Sequence, residues 1–366
     1  MNEWVRVALV RVAIAIGPVI LALGASMALI VLTGGPPVAA MRALADGAFG
    51  GRTPTARTLS FLLPLSLIAL AWMVSFSTRR INIGLEGQIV VGGVSAAVVG
   101  LFGGGIPVVV HIPLGMIAAL VAGALYAGIA AWLWAKRRVN EIISTLMLNF
   151  IALEFENWLV RGPLQEPGVI FPRSKEIASS ARWPQIVPHS ELTWAIFLVP
   201  VLVGATWFVF HRTTFGATLV LTGANPDAAR MSGIPTVTVN VLALMISGAL
   251  AGLVGGALIL GGETGRLSGG FSANLGFEGI VVALVARNLP LAVPPAAMLF
   301  AILRSGSGLM ETRVGVSSEL VLITQGLVIV AVGGVGFLYQ RLRSRPADLG
   351  AGREAAGERP TEVTVR

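Results

Sequence analysis

Residues 82–88 read NIGLEGQ, and residues 274–279 repeat the pattern as NLGFEG. Each copy sets Asn-x-Gly-x-Glu-Gly at the head of an apolar run, IVVGGVSAAVVGLF after the first and IVVALV after the second. A carboxylate in the first turn of a helix meets unpaired backbone N–H groups and the positive end of the helix dipole. That placement is worth about 0.3–1 kcal/mol at an exposed site and up to about 2 kcal/mol when partly buried. The neighbouring glycines let the backbone break or approach another segment closely. At membrane depth such irregular backbone is tolerated only against protein or a water-filled cavity.

The rest of the chain says what solvent surrounds these motifs. Of 366 residues, 55% are hydrophobic and only 12% charged, and the mean hydropathy is +0.83. Apolar runs of about 18 residues or more recur along its length, each long enough to cross a hydrocarbon core of about 30 Å as a helix. Ten spans are predicted, at 12–33, 58–77, 86–103, 112–134, 140–160, 192–210, 236–260, 278–288, 292–310 and 319–338. The first run, after Arg6 and Arg11, exceeds the apolar core of a signal peptide and reads as a retained span. There is no cysteine, which excludes disulfides and thiolate metal sites.

The formal charge of +8 comes mainly from arginines in loops and tails, where it reports orientation and not a nucleic-acid partner. The dense clusters are Arg79 with Arg80, Lys136 to Arg138, Arg212 with Arg230, and Arg341, Arg343 and Arg345. Alternation of spans puts all four on one side, with both termini cytoplasmic. The loops at 34–57 and 161–191 then lie outside; they carry basic residues too, but long loops translocate largely regardless of charge. Residues 1–343 read as one transmembrane domain and 344–366 as a disordered tail.

The two motifs are 192 residues and five spans apart. Five is odd, so the second copy arrives upside down. The chain reads as an all-α polytopic membrane protein of about ten helices in two inverted halves, about 1–165 and 190–343. In this topology the first motif opens its span on the cytoplasmic side and the second on the far side. Glycine-interrupted segments at matching positions of inverted halves point to a transport pathway. The candidate pathway residues are Asn82, Glu86 and Gln88 in the first copy and Asn274 and Glu278 in the second. Phe76, ahead of the first copy, and Phe277, inside the second, offer faces for a nucleobase. The same motif residues would equally serve as caps that fix two re-entrant corners without touching a ligand.

Asn149 falls near the middle of the fifth span, where its amide is suited to a hydroxyl or base edge, or to holding two helices together. Glu154, Glu156 and Trp158 read as interfacial residues. Gly248, Gly252 and Gly256, at four-residue spacing, form a smooth face for helix packing. Arg304, inside the ninth span, requires a cavity, a partner carboxylate or a shorter span. His111, His189 and His211 lack metal-site spacing, and no nucleophile stands beside a base. In GANPDAARMSGI, Asn225 is suited to cap a helix that starts at Pro226, with Asp227 complementing its dipole. No Gly-x-x-x-x-Gly-Lys-Ser/Thr appears; the only lysines are Lys136 and Lys175. The energy for transport must therefore come from a partner or an ion gradient.

The stretches NIGLEGQIVVGG, NEIISTLMLNFIAL, GANPDAARMSGI, SGALAGLVGG and LGFEGIVVALVARNLPL together resemble the permease subunits of bacterial ABC importers for nucleosides and simple sugars, the branch related to the ribose permease. The resemblance runs in order from about 58 to 338. It departs at Glu278, where that branch often has Asp, and at Ala286, where it often has Gly. It implies a multi-pass protein of the bacterial inner membrane with a cytoplasmic ATPase partner, a second permease subunit and an extracytoplasmic binding protein. ATP and Mg²⁺ would sit on the ATPase, with no cofactor in this chain. Asn225, Pro226, Asp227, Ala228 and Arg230 would then form the coupling helix that meets the ATPase. The rival reading is a secondary transporter driven by an ion gradient, which also uses inverted repeats and broken helices.

Overall fold

A computed structural model describes residues 20, 24–25, 27–32, 34–188, 190–317, 319–328 and 330–331. The chain divides into two compact units, Val38–Ser318 and the terminal segments Met1–Pro37 with Glu319–Arg366. Both Asn-x-Gly-x-Glu-Gly motifs belong to the first. The tail at 344–366 and His189 lie outside the described residues, as do parts of the spans expected at 12–33 and 319–338.

The helices of the larger unit are α1 (Pro37–Phe49), α2 (Arg52–Ser77), α3 (Leu85–Phe102), α4 (Val108–Arg137), α5 (Glu141–Arg161), α6 (Leu198–Arg212), α7 (Thr214–Ala224), α8 (Pro226–Met231), α9 (Thr236–Gly261), α10 (Leu275–Val285) and α11 (Val293–Val314). Among the described residues, seven helical segments are long and apolar enough to cross a membrane: α2, α3, α4, α5, α9, and the stretches Trp194–Arg212 and Pro290–Val314. The described residues contain no strand, only isolated bridges at Gln165–Ser174, Arg173–Ser268 and Gln185–Thr193.

Two sequence readings change. The segment 34–57, expected as a loop, holds α1 and the first turns of α2. The segment counted as a crossing at 278–288 is α10 (Leu275–Val285), of the same 11 residues and set three positions earlier. At 1.5 Å per residue it rises about 16 Å, half the thickness of a hydrocarbon core. It stops where Arg287 and Asn288 take left-handed backbone (φ 53° and 54°). In sequence, too, the apolar run ends at Arg287 and Asn288.

α2 and α9 form the centre. α2 packs on α9, α10 and α11, while α9 packs on α2, α3 and α4. Each central helix thus carries the motif helix and the following span of the other half of the sequence, so the halves interlock. α2, α3 and α9 are buried over most of their length, whereas α4, α5 and α6 leave large apolar residues such as Leu125, Phe150 and Phe208 exposed. A helix that is apolar all round belongs inside such a bundle, and apolar outer faces suit a lipid surround.

Glycine sets how closely the central helices approach. Gly248, Gly252 and Gly256 of α9 lie against Ala119, Gly123 and Ala127 of α4; a Cβ on Gly252 would sit 2.2 Å from the Ala119 carbonyl oxygen. On another face of α9, a Cβ on Gly255 would be 1.9 Å from the Ile89 carbonyl oxygen of α3. Without a strong hydrophobic drive between helices in lipid, such backbone contact is what holds them together.

Candidate functional site

The two motifs touch. Glu86, in the first turn of α3 and 2% exposed, accepts hydrogen bonds from the Ser272 hydroxyl (2.5 Å) and from the backbone N–H groups of Asn274 (3.0 Å) and Gly276 (2.7 Å). The carboxylate of the first copy is therefore the acceptor at the start of α10, inside the second copy. Ala273 and Asn274 take left-handed backbone (φ 46° and 62°) to turn the chain into this position. A Cβ on Gly276 would lie 2.7 Å from the Glu86 Cα, so the glycine of one motif admits the glutamate of the other. The placement of the motifs on opposite sides of the bilayer is corrected by these bonds, which put both at one depth. Span alternation assumed that each motif opens a full crossing, and α10 is only half of one.

The other residues of the first copy are turned inward. Asn82 and Gln88, at 0% and 1% exposure, face each other amide to amide (3.0 and 3.1 Å). Asn82 also donates to Ser247 of α9 (2.9 Å) and accepts from the N–H of Gly84 (3.1 Å). Asn149 of α5 accepts from the N–H of Gly87 (2.8 Å) and donates to the Ile83 carbonyl (2.9 Å). It caps the start of α3 from a neighbouring helix, the interhelical role weighed for it from sequence. Arg80, just before the motif, donates to Asn240 of α9 and to Glu141 of α5 (both 3.1 Å) and lies over the Trp134 ring of α4.

The second copy is more open. Asn274 and Phe277 are exposed, and Glu278 is ion-paired with Arg304 of α11. Arg304 also donates to the Ala273 carbonyl (3.3 Å) and lies 5.2 Å from the centre of the Phe61 ring. Of the alternatives raised by an arginine within this span, the partner carboxylate is the one found. Phe76 stacks on Trp72 and lies beneath Arg79. Glu156, read as interfacial, is fully buried instead and accepts from the N–H of Gly270 (3.1 Å). The 268–276 turn thus receives carboxylates from α3 and α5, with Glu278 following it on α10.

A cavity of about 390 Å³ opens beside this turn. Its wall is built from the first turns of α2 (Arg57, Ser60, Phe61), the last turn of α9, the 262–275 loop with Glu263 and Phe271, Glu191, and Arg304. None of the eight candidate pathway residues lines it; Ala273 and Leu275, their neighbours, do. Arg57 and Glu263 sit at the ends of spans; in sequence Arg57 counts only among the basic residues of the 34–57 loop, although Pro64 within the second span is a signal. It withholds the donor that the Ser60 carbonyl would otherwise receive within α2. Outside the helices Arg266 is paired with Glu166 (2.6 Å) and Glu176 (3.4 Å), and Glu166 also accepts from Arg173 (2.9 Å). These hydrogen bonds, from Arg266 first, hold the Glu166 carboxyl below the ordinary glutamate range.

At the other end of α9 lies the predicted loop helix, α8. The Asn225 side chain accepts from the N–H groups of Asp227 (3.1 Å) and Ala228 (3.0 Å), Pro226 fills the first turn, and Asp227 pairs with Arg230 (3.0 Å). Asp227, Arg230 and Met231 are exposed. The preceding helix α7 is seated on the end of α2, where a Cβ on Gly223 would be 2.1 Å from the Ser77 carbonyl oxygen.

Known proteins share this sequence over most of its length. The glucose ABC transporter permease protein TsgB13 of Haloferax volcanii is 36% identical over 278 residues, 73% of each chain. The guanosine ABC transporter permease protein NupP of Bacillus subtilis is 33% identical over 337 residues, 90% of this chain and 96% of its own. The ribose import permease protein RbsC of Escherichia coli is 26% identical over 249 residues, 65% and 71% of the two chains. The family model for the permease component of branched-chain amino acid transport systems matches residues 55–333. The chain is an integral membrane protein of that family of transport permeases.

Proposed function

We propose that this chain is the permease subunit of an ABC importer in the cell membrane and forms half of a translocation pathway for a nucleoside or a simple sugar. Relatives named for glucose, guanosine and ribose support that solute class. The observation that carries the mechanism is α8, a short capped helix with exposed Asp227, Arg230 and Met231. It is separated from α9 by four residues and set against the end of α2 through α7. A cytoplasmic ATPase pressing on α8 would move the ends of both central helices at once. The interlocked packing of α2 and α9 supports two inverted halves of about ten membrane segments, with α10 as a half-length one, and the clusters of basic residues support a cytoplasmic side for α8 and both termini. A second permease subunit, an ATPase that holds ATP and Mg²⁺, and an extracytoplasmic binding protein complete the assembly.

Reconstituted vesicles containing the full assembly are expected to take up guanosine or ribose only with ATP and the ATPase subunit. Replacement of Asn225 to Met231 by a flexible linker of equal length should abolish uptake while the ATPase remains active. Uptake that persists without the ATPase, driven by an ion gradient, would refute the proposal in favour of a secondary transporter.

A further inference from the structure

We propose that the cavity between α2, the end of α9, Glu191 and Arg304 is a solute site within this single subunit, and that it takes a neutral ring bearing neighbouring hydroxyls. The inference rests on the permease reading above and assigns it a location. α9 rises about 39 Å over its 26 residues. α8 lies four residues before its start, and the cavity surrounds its last turn. If α8 meets the cytoplasmic ATPase, the cavity is at the opposite end of the bundle, where a solute from outside arrives.

The chemistry of the wall selects the ligand. Its two deeper cations are already neutralised, Arg304 by Glu278 and Arg266 by Glu166 and Glu176. Among the described residues, Arg57, Glu191 and Glu263 have neither an ion pair nor a side-chain hydrogen bond, so the ready groups are one cation and two carboxylates. These three groups sum to one negative charge, which disfavours an anion and leaves hydrogen bonding to select among neutral solutes. The two carboxylates accept from hydroxyls, Arg57 donates, and the Ser60 carbonyl is released by Pro64 to accept as well. Phe61 and Phe271 supply apolar faces for the ring. Phe271 keeps its position because Gly93 of α3 has no side chain; a Cβ there would be 2.3 Å from the Phe ring. The volume of about 390 Å³ falls in the range of small-molecule sites. By contrast, the amides of Asn82, Gln88 and Asn149 are engaged with protein. Free ribose and the ribose of a nucleoside share the chemistry the wall would recognise.

The chain contains no cysteine, so a single introduced thiol reports the cavity without background from this subunit. Ser60→Cys places it on the wall, and Ser179→Cys places a control at an exposed position in the 161–191 loop, outside the cavity. The full complex carrying either variant is treated with a methanethiosulfonate reagent, and labelling of this subunit is followed by mass spectrometry. Ribose, guanosine, ribose 5-phosphate and leucine are the added solutes. At ten times the half-saturating concentration, a bound solute should slow labelling of Ser60→Cys about elevenfold by mass action, and leave Ser179→Cys unchanged. Protection by ribose alone identifies a free sugar as the source, and protection by guanosine identifies the nucleoside; both support the site. Protection by leucine or ribose 5-phosphate in preference to the neutral solutes overturns the proposed chemistry. Uptake of guanosine or ribose with no protection overturns the cavity while the permease reading stands. Absence of both uptake and protection overturns the two together. Ser268→Cys, on the same wall, gives the same readings where Ser60→Cys fails to assemble.

Discussion

Replacing Glu86 tests the central joint of the bundle most directly. In Glu86→Gln one oxygen remains, which can keep the bonds from Ser272 and the Asn274 N–H, while an NH₂ faces the Gly276 N–H. An unsatisfied buried donor costs about 1–3 kcal/mol, and loss of the negative charge at the start of α10 costs up to about 2 kcal/mol. Together they predict a loss of about 2–4 kcal/mol. In Glu86→Ala all three donors lose their acceptor; the serine can rotate, the two N–H groups cannot, and the loss rises to about 3–6 kcal/mol. At about 2 °C per kcal/mol for a chain of this size, that is a fall of about 6–12 °C in melting temperature. Tryptophan fluorescence of the purified chain in detergent, heated with and without the substitutions, measures it. Glu154→Gln, an exposed carboxylate on α5, is the control and should be neutral. If Glu86→Ala melts within about 1 °C of the parent, the bonds to Asn274 and Gly276 do not hold α10 in place, and the joint is refuted.

Glu278→Gln and Arg304→Gln should each destabilise, since each strands its ion partner, while the double variant should recover about 1–3 kcal/mol relative to their sum in a thermodynamic cycle. Asn225→Ala removes the cap of α8 at a cost of about 1 kcal/mol; uptake in vesicles should fall with little change in the melting temperature of the bundle. Gly255→Ala drives a methyl into the Ile89 carbonyl and should cost at least about 3 kcal/mol or prevent folding, whereas Gly308→Ala, in α11 with open space around it, should raise stability by about 0.5–1 kcal/mol in the same melt. The pairing of Glu166 with Arg266 gives a pH signature. Because its folded value is depressed, its contribution is complete above the ordinary value of 4.5 and is lost as the pH falls through the lower folded one. Melting temperatures from pH 7 to pH 3 should show a deficit for Glu166→Gln that is constant at the upper end and shrinks below pH 4.5.

Much of this was written locally. The cap at Asn225, the packing face of Gly248, Gly252 and Gly256, and the two glutamates at helix starts depend on a few neighbours in sequence and were legible there. Arg304 announced that it needed a partner, but not that Glu278, 26 residues earlier, supplied it. The meeting of the motifs was not legible, since 192 residues of separation carry no depth information, although the 11 residues allotted to the segment after the second motif were already too few for a crossing. Asn149 has the same donors and acceptors for a solute as for a backbone, and only packing shows that the backbone of Ile83 and Gly87 takes them. The cavity escaped because its wall gathers residues from 57 to 304, each unremarkable in its own segment.

The carboxylate that links the two motifs belongs to α3, and the groups it binds belong to the entry of α10. The starts of these helices are therefore tied into one body near the centre of the bundle, and neither can slide without the other. Under the proposed coupling through α7 and the end of α2, any displacement of one of these helix starts would carry the other with it. The burial of Glu86 keeps solvent from competing for the bonds that join them.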